Sequence, residues 1–236
     1  MARYRKKGQS YRRVTDGKRI NTRRKRAKKL TLYQQPTVNI GQGFPKKMVM
    51  THKYNQLFTL TSTASSAVPI KQVFSCNGLY DPDVTGAGHQ PMYFDQMTAL
   101  YDHYVVIGSK IDLKITAVGS SLPTAIVTLW IDDDNTLTNN RIDYFIETGT
   151  ASRCMVPQNS GSTFSLSKKW SAKKFFGKGV LANTDLQGTI GTNPAEQSSF
   201  VISMIAVDQF TTTIVAVEAL ITYIAVWKEL KDVAAS

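Results

Sequence analysis

Fourteen basic side chains crowd residues 3–29 against one acid, Asp16, a net charge of +13 that a compact core cannot accommodate. They are Arg3, Arg5, Lys6, Lys7, Arg12, Arg13, Lys18, Arg19, Arg23, Arg24, Lys25, Arg26, Lys28 and Lys29. Because the formal net charge of the whole chain is +12, residues 30–236 hold 15 basic and 16 acidic side chains and carry a net of −1. The basicity therefore belongs to one segment. With only Val14, Ile20, Leu30 and a few tyrosines as apolar content, that segment cannot bury enough surface to offset the entropy of ordering. The expectation is an arm over 1–30 that is disordered when alone and serves a polyanion.

Any fold must come from the remaining residues, about 200 of them, enough for one large all-β domain or two small ones. A linker over 31–46, marked by Pro36, Gly41, Gly43 and Pro45, leads into a folded domain over 47–236. Hydrophobic periodicity predicts eight strands, at 48–61, 68–76, 110–116, 124–132, 152–157, 163–170, 199–207 and 213–228. In the first, Met50, His52, Tyr54, Phe58 and Leu60 share a face. In the third, Ile111, Leu113 and Ile115 alternate with Lys110, Asp112, Lys114 and Thr116, so one face is core and the other polar. The near-continuous apolar run at 124–132 reads as a strand covered on both faces.

Between the second and third strands, Met97, Leu100, Tyr101 and Tyr104 follow helical spacing after Asp95, which predicts a helix over 95–104 with an Asp95 N-cap. A second short helix is expected at 143–147. The connections at 77–93 and 173–197 are long for a compact domain, as functional or contact loops usually are. Eight antiparallel strands with long loops suit a jelly roll, although a sandwich of another topology would give the same pattern. The apolar run at 214–227 is interrupted by Glu218 and shorter than the ~20 residues a membrane helix needs, so no membrane insertion is expected. No apolar stretch follows the charged N-terminus, and a secretory signal is not expected.

The segment PMYFDQMTALYDHYVVIGSKI at 91–111 fits the pattern DQxxxLYxxYxVxxSKI. It resembles the helix-plus-strand segment of capsid proteins from circoviruses and related small circular single-stranded DNA viruses. The arm mixes eight arginines with six lysines, whereas circovirus arms are arginine-rich, so the resemblance points to a circovirus-like relative. It implies a single jelly roll and a T=1 icosahedral shell of about sixty identical copies. It also implies an inward arm on packaged single-stranded DNA, a virion location and a passage through the host nucleus. The segment Arg23, Arg24, Lys25, Arg26, Lys28 and Lys29 has the density of a nuclear localisation signal read by an import receptor. The host-cell attachment factor is not legible in the residues.

No phosphate loop, nucleophile elbow or zinc motif is present, no cofactor is implied, and the chain does not read as an enzyme. Asp132, Asp133 and Asp134 form the densest acidic cluster, which reads as an acidic loop at a strand end rather than a cation site. His52, His89 and His103 lack metal-ligand spacing to one another and to Cys76 and Cys154. Two cysteines make no disulfide framework and favour a reducing compartment. A second basic patch, Lys168, Lys169, Lys173, Lys174 and Lys178, surrounds Trp170, Phe175 and Phe176; it reads first as a solvated loop over buried aromatics, and second as an inner-surface contact for a single strand, which binds such cation-and-aromatic mixtures, or as a subunit interface. The leading expectation is a self-assembling coat protein that packages single-stranded DNA. Its rivals are an RNA-packaging coat protein of similar fold and a monomeric nucleic-acid-binding module. A metal nuclease built on the Asp132 cluster comes last.

Overall fold

A computed structural model describes residues 43–232, apart from 65–67, 85–87, 120, 134–141, 148, 159–160 and 178. The arm and most of the linker lie outside the described residues. The strands are β1 (Lys47–Thr61), β2 (Ile70–Ser75), β3 (Tyr101–Ala117), β4 (Ala125–Asp132), β5 (Ser152–Val156), β6 (Thr163–Ser171), β7 (Ser199–Ala206) and β8 (Ile214–Leu230). Short helices α1 (Phe94–Thr98), α2 (Ile142–Glu147) and α3 (Ala172–Phe175) and a 3-10 turn at Thr184–Leu186 lie in the connections.

Two four-stranded antiparallel sheets result, in the orders β1-β8-β3-β6 and β2-β7-β4-β5. Strand pairing is nested: β4 pairs with β5, β3 with β6, β2 with β7 and β1 with β8. That is one long hairpin ribbon closed at the β4–β5 connection and wound on itself, with β3–β8 and β4–β7 pairing where the turns meet. The chain is an eight-stranded antiparallel jelly roll, which resolves the alternative of another sandwich topology. Among the described residues no helix is long and apolar enough to cross a membrane.

The alternation read from the sequence sets which face each strand buries. Ile111, Leu113 and Ile115 of β3 point into the core with Val215, Val217, Ala219, Ile221 and Tyr223 of β8. In β1, His52, Tyr54 and Leu60 are buried while every odd-numbered residue from Lys47 to Thr61 is exposed. β4 is covered on both faces from Val127 to Trp130, and β7, between β2 and β4, is buried at all eight positions. The outer side of that second sheet is covered where Val73, Trp130 and Val201 pack with Val84 and Ala151. The outer side of the first sheet is open at Val49, Leu57 and Ile224, which are exposed, and covered at Val105 and Val226, which are buried there outside the core cluster.

The helix expected over 95–104 is shorter than its spacing suggests. α1 ends at Thr98, and Tyr101 already opens β3, with Tyr101 opposite Leu230 and Tyr104 opposite Trp227. Tyr101 and Tyr104, three apart, favour helical spacing over strand alternation, but the long partner β8 and the β-branched run Val105-Val106-Ile107 decide for strand. Asp95 does not cap the helix. Tyr93 occupies the N-cap in left-handed conformation, φ 68°, with no side-chain hydrogen bond. The stretch converges on Trp227, whose ring centroid lies 5.4 Å from Tyr104, 5.8 Å from Phe94 and 5.6 Å from His52.

His52 is fixed in one tautomer there. The Trp227 indole can only donate, and its Nε1 lies 3.0 Å from His52 Nε2, so Nε2 is an acceptor and Nδ1–H donates to the Met92 carbonyl at 3.1 Å. Burial, the larger influence, lowers the His52 pKa against the raising effect of the Met92 bond. The unfolded chain then binds a proton that the folded chain refuses, so stability is full above the ordinary histidine pKa of 6.5 and falls as pH drops below it. Thermal melts of the full chain between pH 7.5 and 5 are expected to fall with acidification, and more shallowly in His52→Gln; equal slopes would contradict this. Gly188 lies so close under Tyr104 that an added Cβ would sit 2.1 Å from the phenol Cζ. Gly188→Ala is expected to cost on the order of 1–3 kcal/mol and to lower Tm by several degrees.

Candidate nucleic-acid interface

The fourteen cationic arm residues, including the localisation segment at 23–29, lie outside the described residues, as does Lys178. The second basic patch is described from Lys168 to Phe176. It straddles the end of β6, an edge strand of the first sheet, and the single turn of α3 that follows it. Period-2 geometry divides its residues. Phe164, Leu166, Lys168 and Trp170 share the inward parity, and Lys169 points outward with Ser165 and Ser167.

Trp170 is 5% exposed and belongs to the core cluster, so its ring faces are not open to a base. Its neighbours are Phe176 at 6.0 Å and Phe175 at 6.3 Å, and its indole Nε1 is buried without a partner. Lys168 reaches back along the sandwich margin and donates to the Thr150 carbonyl. Partial burial lowers its pKa from the ordinary 10.5. What the patch offers to solvent is Lys169, Lys173, Lys174 and the partly exposed Phe175. The aromatic spacing legible in the sequence is therefore a core device that anchors α3. The lysines are its outward face.

Elsewhere the chemistry is quiet. Asp132 Oδ2 accepts from the Trp130 indole at 3.3 Å, and Asp134 lies outside the described residues. Among the described residues, no three of His, Cys, Asp and Glu come together in a way that could hold a metal ion. Both thiols are free and shifted away from reactivity by burial: Cys76 is fully enclosed with its pKa raised, and Cys154 is pushed up to about 11. His103 Nδ1 lies 2.7 Å from Glu229 on the surface.

The two long connections are knitted to each other. Asn77 Nδ2 donates to the Glu196 carbonyl at 2.8 Å, while its Oδ1 accepts from Ser198 N at 3.2 Å. Asn193 Oδ1 accepts from the amides of Tyr80 and Asp81, and its Nδ2 returns a bond to the Asp81 carbonyl at 2.8 Å. The Tyr104 hydroxyl accepts from Leu79 N at 3.0 Å, with its pKa raised by burial. Buried Asp83 takes one amide bond from Gln56 and one from Gln72, each 2.8 Å, which ties the first connection to β1 and β2. The sequence showed these stretches as turn-rich. The asparagine brackets needed three-dimensional context.

No family model matches the chain, and no curated protein matches it. Solved structures similar to it include a chain of Desmodium yellow mottle tymovirus, at TM-score 0.42 and 12% identity, covering 86% of this chain and all of that one. The BFDV capsid protein, in a structure described as decameric, gives TM-score 0.42 and 8% identity over 77% of this chain and all of that one. Mud crab tombus-like virus gives TM-score 0.44 and 10% identity over 83% of this chain and 95% of that one.

Because Trp170 is enclosed, Trp170→Phe is expected to change affinity for a fluorescein-labelled (dT)30 less than about twofold while lowering thermal stability by on the order of 1–2 kcal/mol. A tenfold loss of affinity without loss of stability would show that the indole meets the bases directly.

Proposed function

We propose that this chain is the subunit of a closed icosahedral viral shell and that its basic arm holds a packaged single-stranded DNA genome. The observation that carries the reading is the join of two unlike parts. A net +13 segment ends a short linker before Lys47, where the first strand of a jelly roll begins, and the sequence beyond residue 29 nets −1. A near-neutral domain can pack against copies of itself without the repulsion that a strongly charged one would suffer. Exposed apolar side chains on its connections, among them Met92, Tyr93, Ile190 and Phe210, suit such lateral contacts.

The reading extends to T=1 symmetry, about sixty copies per shell, import to the nucleus through Arg23–Lys29 before assembly, and release as a virion. Sixty arms would bring on the order of 800 positive charges to the phosphates of the genome, with binding that is tolerant of sequence and steeply dependent on salt. The choice of DNA over RNA rests on the resemblance at 91–111, since a basic arm engages either phosphate backbone. The connections at 77–90 and 183–193 are proposed for the outer surface.

Deletion of residues 1–29 is expected to leave particles that sediment as shells but carry no nucleic acid, read from the 260/280 nm absorbance ratio of the purified fraction. Truncated particles with normal nucleic-acid content would overturn the assignment. Digestion of the extracted strand by DNase or by RNase decides between the two genomes.

A further inference from the structure

The near-neutral folded domain is electrically lopsided, and register shows how. Outward-pointing residues of the first sheet include Lys47 and Lys53 on β1, Lys110 and Lys114 on β3 and Lys169 on β6, against only Asp112 and Glu218. The rest of 30–236 holds ten basic and fourteen acidic side chains. The outer face of β1-β8-β3-β6 is thus positive and the remainder negative.

Three of these lysines fall in one line across the strands. Lys53 pairs with Thr222, Thr222 with Lys110 and Lys110 with Lys169, so the row crosses all four strands, roughly 14 Å at ~4.8 Å per strand. It is flanked by the row Thr51, Ile224, Gly108 and Ser171 on one side and by Asn55, Leu220, Asp112 and Ser167 on the other. Where β6 ends at Ser171, the exposed Lys173 and Lys174 of α3 follow. Lys110 pairs with Asp112 at 2.6 Å and Lys114 with Glu218 at 3.2 Å, surface pairs too weak to exclude a phosphate. Among the described residues no carboxylate lies within 4.0 Å of Lys53 or Lys169.

We propose that this sheet face is a second nucleic-acid contact surface, on which the phosphate backbone of a single strand crosses the row Lys53, Lys110 and Lys169 and leaves along Lys173 and Lys174. The proposal rests on the reading that the chain packages nucleic acid, and it adds that the folded domain itself turns this face to the strand. The occupant is a polyanion because five lysines face two carboxylates here while the domain as a whole is balanced. Flexible lysines without a rigid fork make the contact indifferent to sequence.

The test uses the full chain and fluorescein-labelled (dT)30, with (rU)30 as a parallel arm to separate deoxyribose from ribose strands. In Lys53→Gln/Lys110→Gln/Lys169→Gln, three lost phosphate contacts should reduce the slope of log affinity against log salt by about 2 and weaken binding about tenfold or more at ~0.1 M salt. The quadruple variant Arg23→Gln/Arg24→Gln/Lys25→Gln/Arg26→Gln reports on the arm independently. A reduced slope in the arm variant with an unchanged slope in the sheet variant overturns this proposal and leaves the packaging reading standing; unchanged slopes in both overturn the two together. An unchanged slope with loss of particles would assign the face to a second copy of the chain and overturn the proposal. Lysine acetylation of the unsubstituted chain, read by mass spectrometry, should slow at all three positions when (dT)30 is bound, and unchanged rates there would equally overturn it.

Discussion

The pairing of β8 with both β1 and β3 is the constraint on which the rest depends. A strand of 17 residues between two long neighbours satisfies backbone hydrogen bonds on both edges and fixes three strands in one register. Since side chains alternate, that register decides at once which residues build the core and which form the bare outer face. A slip by one residue would turn Trp227, Tyr223 and Ile221 to solvent and bring Lys228 and Glu218 into the sandwich. The Trp227 cluster holds the register at one end, where His52, Phe94, Tyr101 and Tyr104 close around the indole.

The two sheets then have different fates. The β2-β7-β4-β5 sheet is covered on its outer side over Val73, Trp130 and Val201, whereas the outer side of β1-β8-β3-β6, covered at Val105 and Val226, exposes lysines on three of its strands. A face with an excess of long cationic side chains is costly to cover with another copy of itself and suits a polyanion. β1, an edge strand of this sheet, is the first strand after the linker.

Much of this was legible in the residues. The eight strands, their facing and the charge partition follow from alternation and composition, because both are local properties. The short α1 was not, because Tyr101 and Tyr104 keep helical spacing and only pairing with β8 turns them into a strand. Trp170 amid lysines left a buried aromatic and a stacking platform both open, and parity with Leu166 and Phe164 puts it in the core. That parity is a local signal within 163–170, where Phe164, Leu166 and Trp170 all take even positions. The lysine row has no such signal: Lys53, Lys110 and Lys169 lie more than fifty positions apart in sequence, and only strand order and register bring them together.

Electron cryomicroscopy of particles formed by the full chain tests the central claim most directly. The account predicts closed shells of about 1.6 MDa, sixty copies of a 26.2 kDa chain, with the β1-β8-β3-β6 face turned inward and strand density across Lys53, Lys110 and Lys169. A protein that stays monomeric, or a shell whose interior is lined by the β2-β7-β4-β5 sheet instead, would contradict it.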